Sequence, residues 1–355
     1  PHQDRRLGWR VVARHQDATD RSATVVPEAG PGGPADVVET FRAMATDVTV
    51  RVVAPRRGAA AAVAQARAVF GRVDRTCTRF DPTSPLMRAN AAGRRWHQVP
   101  QMCFDALVEA SRAHGETGGL FDPRVLRMLQ AWGYTRTLPF DSGDVRVDPA
   151  RDPLGRTRLA RHRPRRPWRP GLDPSGPAVR IGRHPVDLGG IGKGLAVRWS
   201  AARLSGSGAA YLVEAGGDCY LGGSGPDGDG WRVAVEDPRD GGADKPIAVL
   251  ALSETACATS SVRVRSWKVA GRPVHHLVDP RSGRPGGSGL LAVTVVHDDP
   301  AWAEVWSKAL FLAGRLRIRH LAEHQRLAAL WVSEYGTLST SRAIRPSVCW
   351  RASDG

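Results

Sequence analysis

The stretch Val186-Asp187-Leu188-Gly189-Gly190-Ile191-Gly192-Lys193-Gly194 constrains this chain more than any other. Apolar Val179 and Ile181 precede it and read as a short strand, while Leu195, Ala196, Trp199 and Leu204 follow at helical spacing. Four glycines and a lysine therefore stand where a strand hands over to a helix. Glycine lets a ligand approach the backbone closely and accepts positive φ. A helix start offers unpaired N–H groups and a partial positive charge, which suits a phosphate. Lys193 adds a point charge. The spacing is neither G-x-G-x-x-G nor G-x-x-x-x-G-K-S/T, so neither a dinucleotide-binding Rossmann unit nor a P-loop is implied. Taken alone, the stretch also fits a tight structural turn.

The chain around it has 355 residues, enough for one large domain or two ordinary ones, and its 41% hydrophobic content supports a sizeable core. No apolar run approaches the ~20 residues of a membrane helix. The N-terminus Pro1-His2-Gln3-Asp4-Arg5-Arg6 lacks the apolar segment of a signal peptide, which favours the cytoplasm. A leader removed upstream would instead place the protein on the cell-envelope side. Five scattered cysteines (Cys77, Cys103, Cys219, Cys257, Cys349) argue against a disulfide framework and against a C-x-x-C metal site.

The formal net charge is +16, and it is unevenly spread. Arg151, Arg156, Arg158, Arg161, Arg163, Arg165, Arg166 and Arg169 face a single acid, Asp152, in a Pro-rich run without apolar period. A solvated surface loop is the plainer reading. An anionic partner is the sharper one. Trp168 alone is interleaved, so a base-stacking platform is poorly supported and no nucleic acid is expected.

In chain order, residues 1–38 read as an irregular arm with one short strand at most. Val48, Val50 and Val52 alternate with polar residues as a half-buried strand beginning near Met44-Ala45-Thr46. Helices are expected over 59–76 and 102–114, with a short one ending near Trp132-Gly133. The basic Pro-rich loop spans about 136–178. Further strands are expected at 211–213, 231–235, 247–252, 290–296 and 327–332, and a helix over 300–312. Ala258-Thr259-Ser260-Ser261 and His275 to Pro280 read as polar turns, and 341–355 as a tail. Strands and helices mix without βαβ alternation, which predicts a single large α+β domain over 39–340.

Four glycine-rich or acidic turns recur at 117–123, 187–194, 214–218 and 279–286. Asp122, Asp187, Asp218 and Asp279 can each fix a turn through their own backbone. Together with Lys193 and His276 they also suit phosphoryl chemistry: a base for a hydroxyl proton, and cations for developing charge. His275 and His276 equally fit partly exposed loop positions. No set of ligands has zinc spacing.

Met44-Ala45-Thr46, Thr78-Arg79-Phe80, Gly118 to Pro123, Asp187 to Gly194, Ala215 to Asp218, Ala258-Thr259-Ser260, His275 to Gly283 and Ala303 to Phe311 occur in that order. This set resembles the ApbE-type flavin transferases, the FAD:protein FMN transferases, over about residues 41–335. The resemblance implies mixed sheets with packed helices and an FAD cleft between lobes. It implies cleavage of FAD with a divalent metal, usually Mg²⁺, transfer of FMN to a Thr or Ser of a target flavoprotein, and release of AMP. It implies FAD contacts from Met44, Phe80, Leu120, Phe121, Asp122, Asp187, Lys193 and Val278. His276, with Asp279, would take the proton of the acceptor hydroxyl. The Gly190 carbonyl and an A-D-x-x-S/T-T helix would hold the metal.

That helix here reads Ala303-Glu304-Val305-Trp306-Ser307-Lys308. Glu304 can still bind a hard cation beside Ser307. Lys308 stands where a hydroxyl is expected, and a charged ammonium repels Mg²⁺. Either Lys308 folds away from a weakened metal site, or it substitutes for the metal's charge. The competing readings are an FAD pyrophosphatase and a flavin-binding protein without catalysis.

Overall fold

The computed structural model describes residues 11–12, 35–136, 144–145, 167–239, 246–263 and 265–352. An eight-stranded antiparallel sheet forms its centre, and its strands lie side by side in strict chain order. They are β1 (Val37–Ala43), β2 (Thr46–Val53), β3 (Ala210–Ala215), β4 (Asp218–Gly222), β5 (Thr255–Ser261), β6 (Leu290–His297), β7 (Ala328–Ser333) and β8 (Leu338–Thr340). The helices enter as insertions between neighbouring strands. The larger ones are α1 (Ala59–Cys77), α2 (Gln101–Glu116), α3 (Gly192–Leu204) and α4 (Pro300–Ala313); α1, α3 and α4 cover the sheet, and α2 packs on α1.

Alternation along the strands sorts side chains to two faces. Val48, Val50, Val52, Val213, Val293 and Val295 share one core with the helices. Leu212, Leu221, Cys219, Leu330 and Val332 share another with a smaller sheet built from Trp231–Glu236 and Pro246–Leu252. Val348–Arg351, within the segment read as a tail, adds an edge strand to that smaller sheet, and Val11–Val12 pairs at its opposite edge. The molecule is thus helix layer, large sheet, small sheet: the expected α+β class. Among the described residues no helix is long and apolar enough to cross a membrane.

Helix α3 is buried nearly all round because it lies between α1 and α4. Gly194 sets its seat. A Cβ there would fall 2.5 Å from the Pro300 carbonyl oxygen and 2.6 Å from Ala301 Cα, so only glycine lets the starts of α3 and α4 touch. Asp299 caps α4, its carboxylate accepting from the amides of Ala301 and Trp302.

Two local expectations change. The single strand expected near residues 41–53 is a hairpin: Ala43 pairs with Thr46, and Met44 and Ala45 form the two-residue loop with φ 53° and 58°. Both signs are those of a type I′ turn, which side chains larger than glycine enter at a cost. The run Ala258-Thr259-Ser260-Ser261, expected as a turn, is the interior of β5. Thr259 Oγ1 lies 2.9 Å from Thr294 Oγ1, and Ser260 Oγ lies 2.8 Å from Ser307 Oγ on α4. Small residues here let α4 press onto the sheet, and tertiary pairing overrides turn propensity. Within the segment expected as a basic loop, Gly171–Asp173 and Ala178–Arg180 form a hairpin, and Trp168 is buried. The arginines from Arg151 to Arg166 lie outside the described residues.

Candidate active site

One cavity of about 640 Å³ gathers the turns at the helix-side edge of the sheet. It falls within the ~300–1,000 Å³ typical of small-molecule sites. Met44, Phe80, Leu120, Phe121, Asp122, Asp187, Gly190, Lys193, His276, Val278 and Lys308 all border it. Positions 44 to 308 in sequence therefore meet in one hollow. Asp279, Glu304 and Ser307 do not border it.

The outer wall is aromatic and cationic. The Arg79 guanidinium stacks between the rings of Phe80 and Tyr134, at 4.3 and 4.2 Å from their centroids. It donates to the Tyr134 carbonyl oxygen at 2.6 Å and pairs with Asp187 at 3.3 Å. Its Nη2 is buried without a hydrogen-bond partner. Arg79, Tyr134 and Arg265 border the cavity too, although pattern reading singles out none of them as ligand contacts. Their neighbour Phe80 is the available signal for Arg79.

The floor is a four-charge cluster. Lys193 bonds Asp218, at the start of β4, and its Nζ lies 3.5 Å from Glu304 Oε1. Lys308 Nζ lies 2.9 Å from the same Glu304 oxygen. Glu304 is fully buried, and its other oxygen accepts from the Gly194 amide at 2.8 Å. Burial works against the charge on Lys193, but Asp218 and Glu304 outweigh it and raise its pKa. Burial likewise opposes ionisation of Glu304, and the two lysines overcome it. At Asp218 burial prevails, raising the carboxyl against the pull of Lys193.

This arrangement alters one expectation about the glycine turn. The Gly189 amide donates to Asp187 Oδ1, Gly192 to the Leu188 carbonyl oxygen, and Gly194 to Glu304. The N–H groups that would greet a phosphate at a helix start are largely taken by the protein, so the lysines carry the anion-binding role.

Two aspartates are turned away. Asp122 borders the cavity, yet its carboxylate is clamped by Arg124 through Nε at 2.9 Å, Nη2 at 2.8 Å and the backbone amide at 2.9 Å. Burial resists ionisation of Asp122, but these bonds hold its pKa below the usual value. Asp279, expected to help His276 take a proton, makes the same clamp with Arg281 at 2.9 and 3.1 Å. It does not border the cavity.

His276 is half-buried in the cavity wall among cations. Burial first, then the positive charges of Arg265 and Lys308, push its pKa far below 6.5, so the ring is neutral near neutral pH. Its backbone amide donates to the Arg265 carbonyl oxygen at 3.1 Å. His275 packs edge-on against Phe311 on the other side, with its pKa lowered to about 4 by burial. A neutral imidazole keeps a lone pair for a proton, and an anion bound beside Arg265 and Lys308 would offset the charges that oppose its protonation.

The metal set implied by the resemblance does not fit these residues. Ser307 Oγ is engaged by Ser260 and donates to the Glu304 carbonyl oxygen at 2.9 Å. Glu304 is bracketed by two ammonium groups, and Lys308 offers no lone pair while charged. Among the described residues no group of three His, Cys, Asp or Glu side chains is arranged to hold a metal ion.

Comparison with known proteins places the chain. Residues 44–331 match the family model described as the ApbE family. The FAD:protein FMN transferase of Klebsiella pneumoniae is 26% identical over 319 residues, covering 87% of each chain. That of Rhodobacter capsulatus is 29% identical over 320 residues, covering 87% of this chain and 58% of the relative. The fold matches the ApbE protein of Thermotoga maritima with TM-score 0.74 at 24% identity, covering 88% of this chain and 99% of that one. It matches the flavinyl transferase ApbE of Pseudomonas stutzeri with TM-score 0.70 at 25% identity, covering 89% and 98%. The match to the family model runs through every turn that lines the cavity, and this chain belongs to the ApbE family.

Proposed function

We propose that this protein is an FAD:protein FMN transferase, which cleaves the diphosphate of FAD and joins FMN through a phosphoester to a Thr or Ser of a target flavoprotein. The observation that carries the reading is the single cavity that joins an aromatic wall to a floor of lysine–carboxylate pairs with a neutral histidine between them. The flavin lies toward Phe80, Tyr134 and Val278, and the diphosphate lies over Lys193 and Lys308. The acceptor hydroxyl attacks the FMN-side phosphorus in line. The new P–O bond forms as the bridging P–O bond breaks, and AMP departs with the bridging oxygen. The hydroxyl proton passes to the free imidazole nitrogen of His276. Arg79 and Asp187 hold the outer wall in place.

Incubation with FAD and a candidate flavoprotein acceptor tests this. The expected result is a mass gain of one FMN on the acceptor with matching AMP. The variant His276→Asn should lose about 10²- to 10⁴-fold in transfer rate while still binding FAD. Free FMN and AMP without adduct would assign the protein as an FAD pyrophosphatase instead. FAD retained without turnover would assign it as a flavin-binding protein.

A further inference from the structure

Resting on that reading, we propose that Lys308 is a built-in replacement for the divalent cation: with Lys193 and Arg265 it neutralises the diphosphate, and this chain binds and cleaves FAD without metal.

Three observations converge. First, Lys308 does not fold away. Its ammonium is held 2.9 Å from Glu304 Oε1, one helical turn back on α4, and its stem runs along the glycine turn. A Cβ on Gly190 would lie 3.4 Å from Lys308 Cδ. The side chain keeps 15% of its surface exposed, and it borders the cavity. Second, the carboxylate that would anchor a metal is already neutralised. A divalent ion at Glu304 would sit within a few ångströms of two ammonium groups, and like-charge repulsion in a buried site excludes it. Third, the charge tally suits an anionic guest. Lys193 and Lys308 balance Asp218 and Glu304, which leaves the floor neutral. Arg265 borders the cavity, and no carboxylate among the described residues pairs with it. Each ammonium has three N–H donors, and Lys308 uses one on Glu304, so donors remain for phosphate oxygens. A diphosphate between the ammonium groups and Arg265 completes the charge balance that Mg²⁺ would otherwise supply.

The step balances without a metal. The acceptor oxygen forms its bond to the FMN-side phosphorus, the bridging bond to AMP breaks, and His276 takes the proton. Lys193 and Lys308 hold the non-bridging and leaving oxygens as negative charge builds on them.

The test measures FAD affinity by flavin fluorescence quenching and AMP release with acceptor, each in EDTA and in Mg²⁺. Mn²⁺ binding is followed separately by electron paramagnetic resonance. For the wild-type protein the expected result is equal FAD affinity and equal AMP release in both conditions, with no stoichiometric Mn²⁺. Lys308→Thr returns a hydroxyl beside Glu304. Its FAD affinity should fall about 10- to 100-fold in EDTA and recover with Mg²⁺. Lys308→Met should show the same fall without recovery. A wild-type protein that loses FAD in EDTA, or binds one equivalent of Mn²⁺, overturns the inference and leaves the transferase reading standing. Metal-indifferent FAD binding and AMP release without an adduct overturns the transferase reading and supports the inference, whereas metal-indifferent binding without AMP release overturns both. Absence of FAD binding in every condition overturns both. If Lys308→Thr does not fold, the wild-type measurements decide alone.

Discussion

Two kinds of charged site in this molecule are built in opposite ways. The sequence D-P-R occurs at Asp122-Pro123-Arg124, Asp237-Pro238-Arg239 and Asp279-Pro280-Arg281. Each time the arginine amide and guanidinium close on the aspartate two residues earlier, at 2.6–3.2 Å. Proline fixes φ between the partners, so the clamp forms from three consecutive residues. The cluster of Lys193, Asp218, Glu304 and Lys308 draws instead on α3, β4 and α4, and it exists only once the sheet and helices are assembled. Local clamps make rigid turns whose charges are already satisfied. The assembled cluster makes a floor whose charges still have donors to offer.

The sharpest way to break the contrast is at Glu304, which links both lysines and the Gly194 amide. Glu304→Leu keeps most of the volume and leaves two ammonium groups without their shared partner. A loss of about 3–5 kcal/mol is expected, seen as a lower urea midpoint with unchanged slope. A loss below about 1 kcal/mol would mean that the lysines turn to solvent and the floor is not one unit.

The same contrast explains what a reader of the sequence can see. The glycine turn, helix α3 and the strand alternation at Val48, Val50 and Val52 are local patterns, and the structure repeats them. Lys308 and Glu304 share a helix four residues apart, so their pairing is legible. Asp218 reads as one more turn aspartate, because nothing near it announces Lys193, which is 25 residues away. Gly216-Gly217 likewise hides β4: the pair looks like a loop, and its positive φ values serve a tight hairpin between β3 and β4. The Thr and Ser residues of β5 look like turn formers, and only the partners on β6 and α4 make them strand. Arg79 and Arg265 are single basic residues in a chain rich in them. Their positions against Tyr134 and His276 are set by tertiary packing alone.

Acid sharpens the comparison further. The clamped carboxylates of Asp122 and Asp237 are held below their usual pKa, whereas His275 and His276 are held neutral by burial. A histidine with a lowered folded pKa favours the folded state above its unfolded value near 6.5, and that support is lost as pH falls toward the folded value. For His275 the window runs from 6.5 to about 4 and is worth on the order of 3 kcal/mol. His275→Gln should therefore flatten the fall of unfolding free energy across that window. Glu214 supplies the opposite sign. Burial raises it to about 7, so its contribution is present at low pH and lost as pH rises from 4.5 to 7. Glu214→Gln should remove that second slope. Identical pH profiles for both variants and the wild-type protein would show that neither group is buried in neutral form.

The smallest effects come from the clamps, and their order is the informative part. The three D-P-R turns share one geometry but differ in burial, with arginine side-chain exposures of 8% at Arg124, 28% at Arg281 and 48% at Arg239. If the clamp acts only through its local bonds, truncating each arginine to alanine costs the same. If burial of the ion pair as a whole decides, the costs separate. Asp122 has 1% of its side chain exposed, so Arg124→Ala should cost about 2–3 kcal/mol by leaving a dry charge short of partners. Arg281→Ala should cost about 1–2 kcal/mol, since Arg281 also donates to the Leu312 carbonyl oxygen at 3.0 Å and ties the turn to the end of α4. Arg239→Ala should cost less than about 1 kcal/mol, because water reaches that pair. Urea titrations of the three variants give the order directly. Equal losses would assign the turns' stability to local geometry. The graded series would show that a motif legible in three letters acquires its energetic weight from the fold around it.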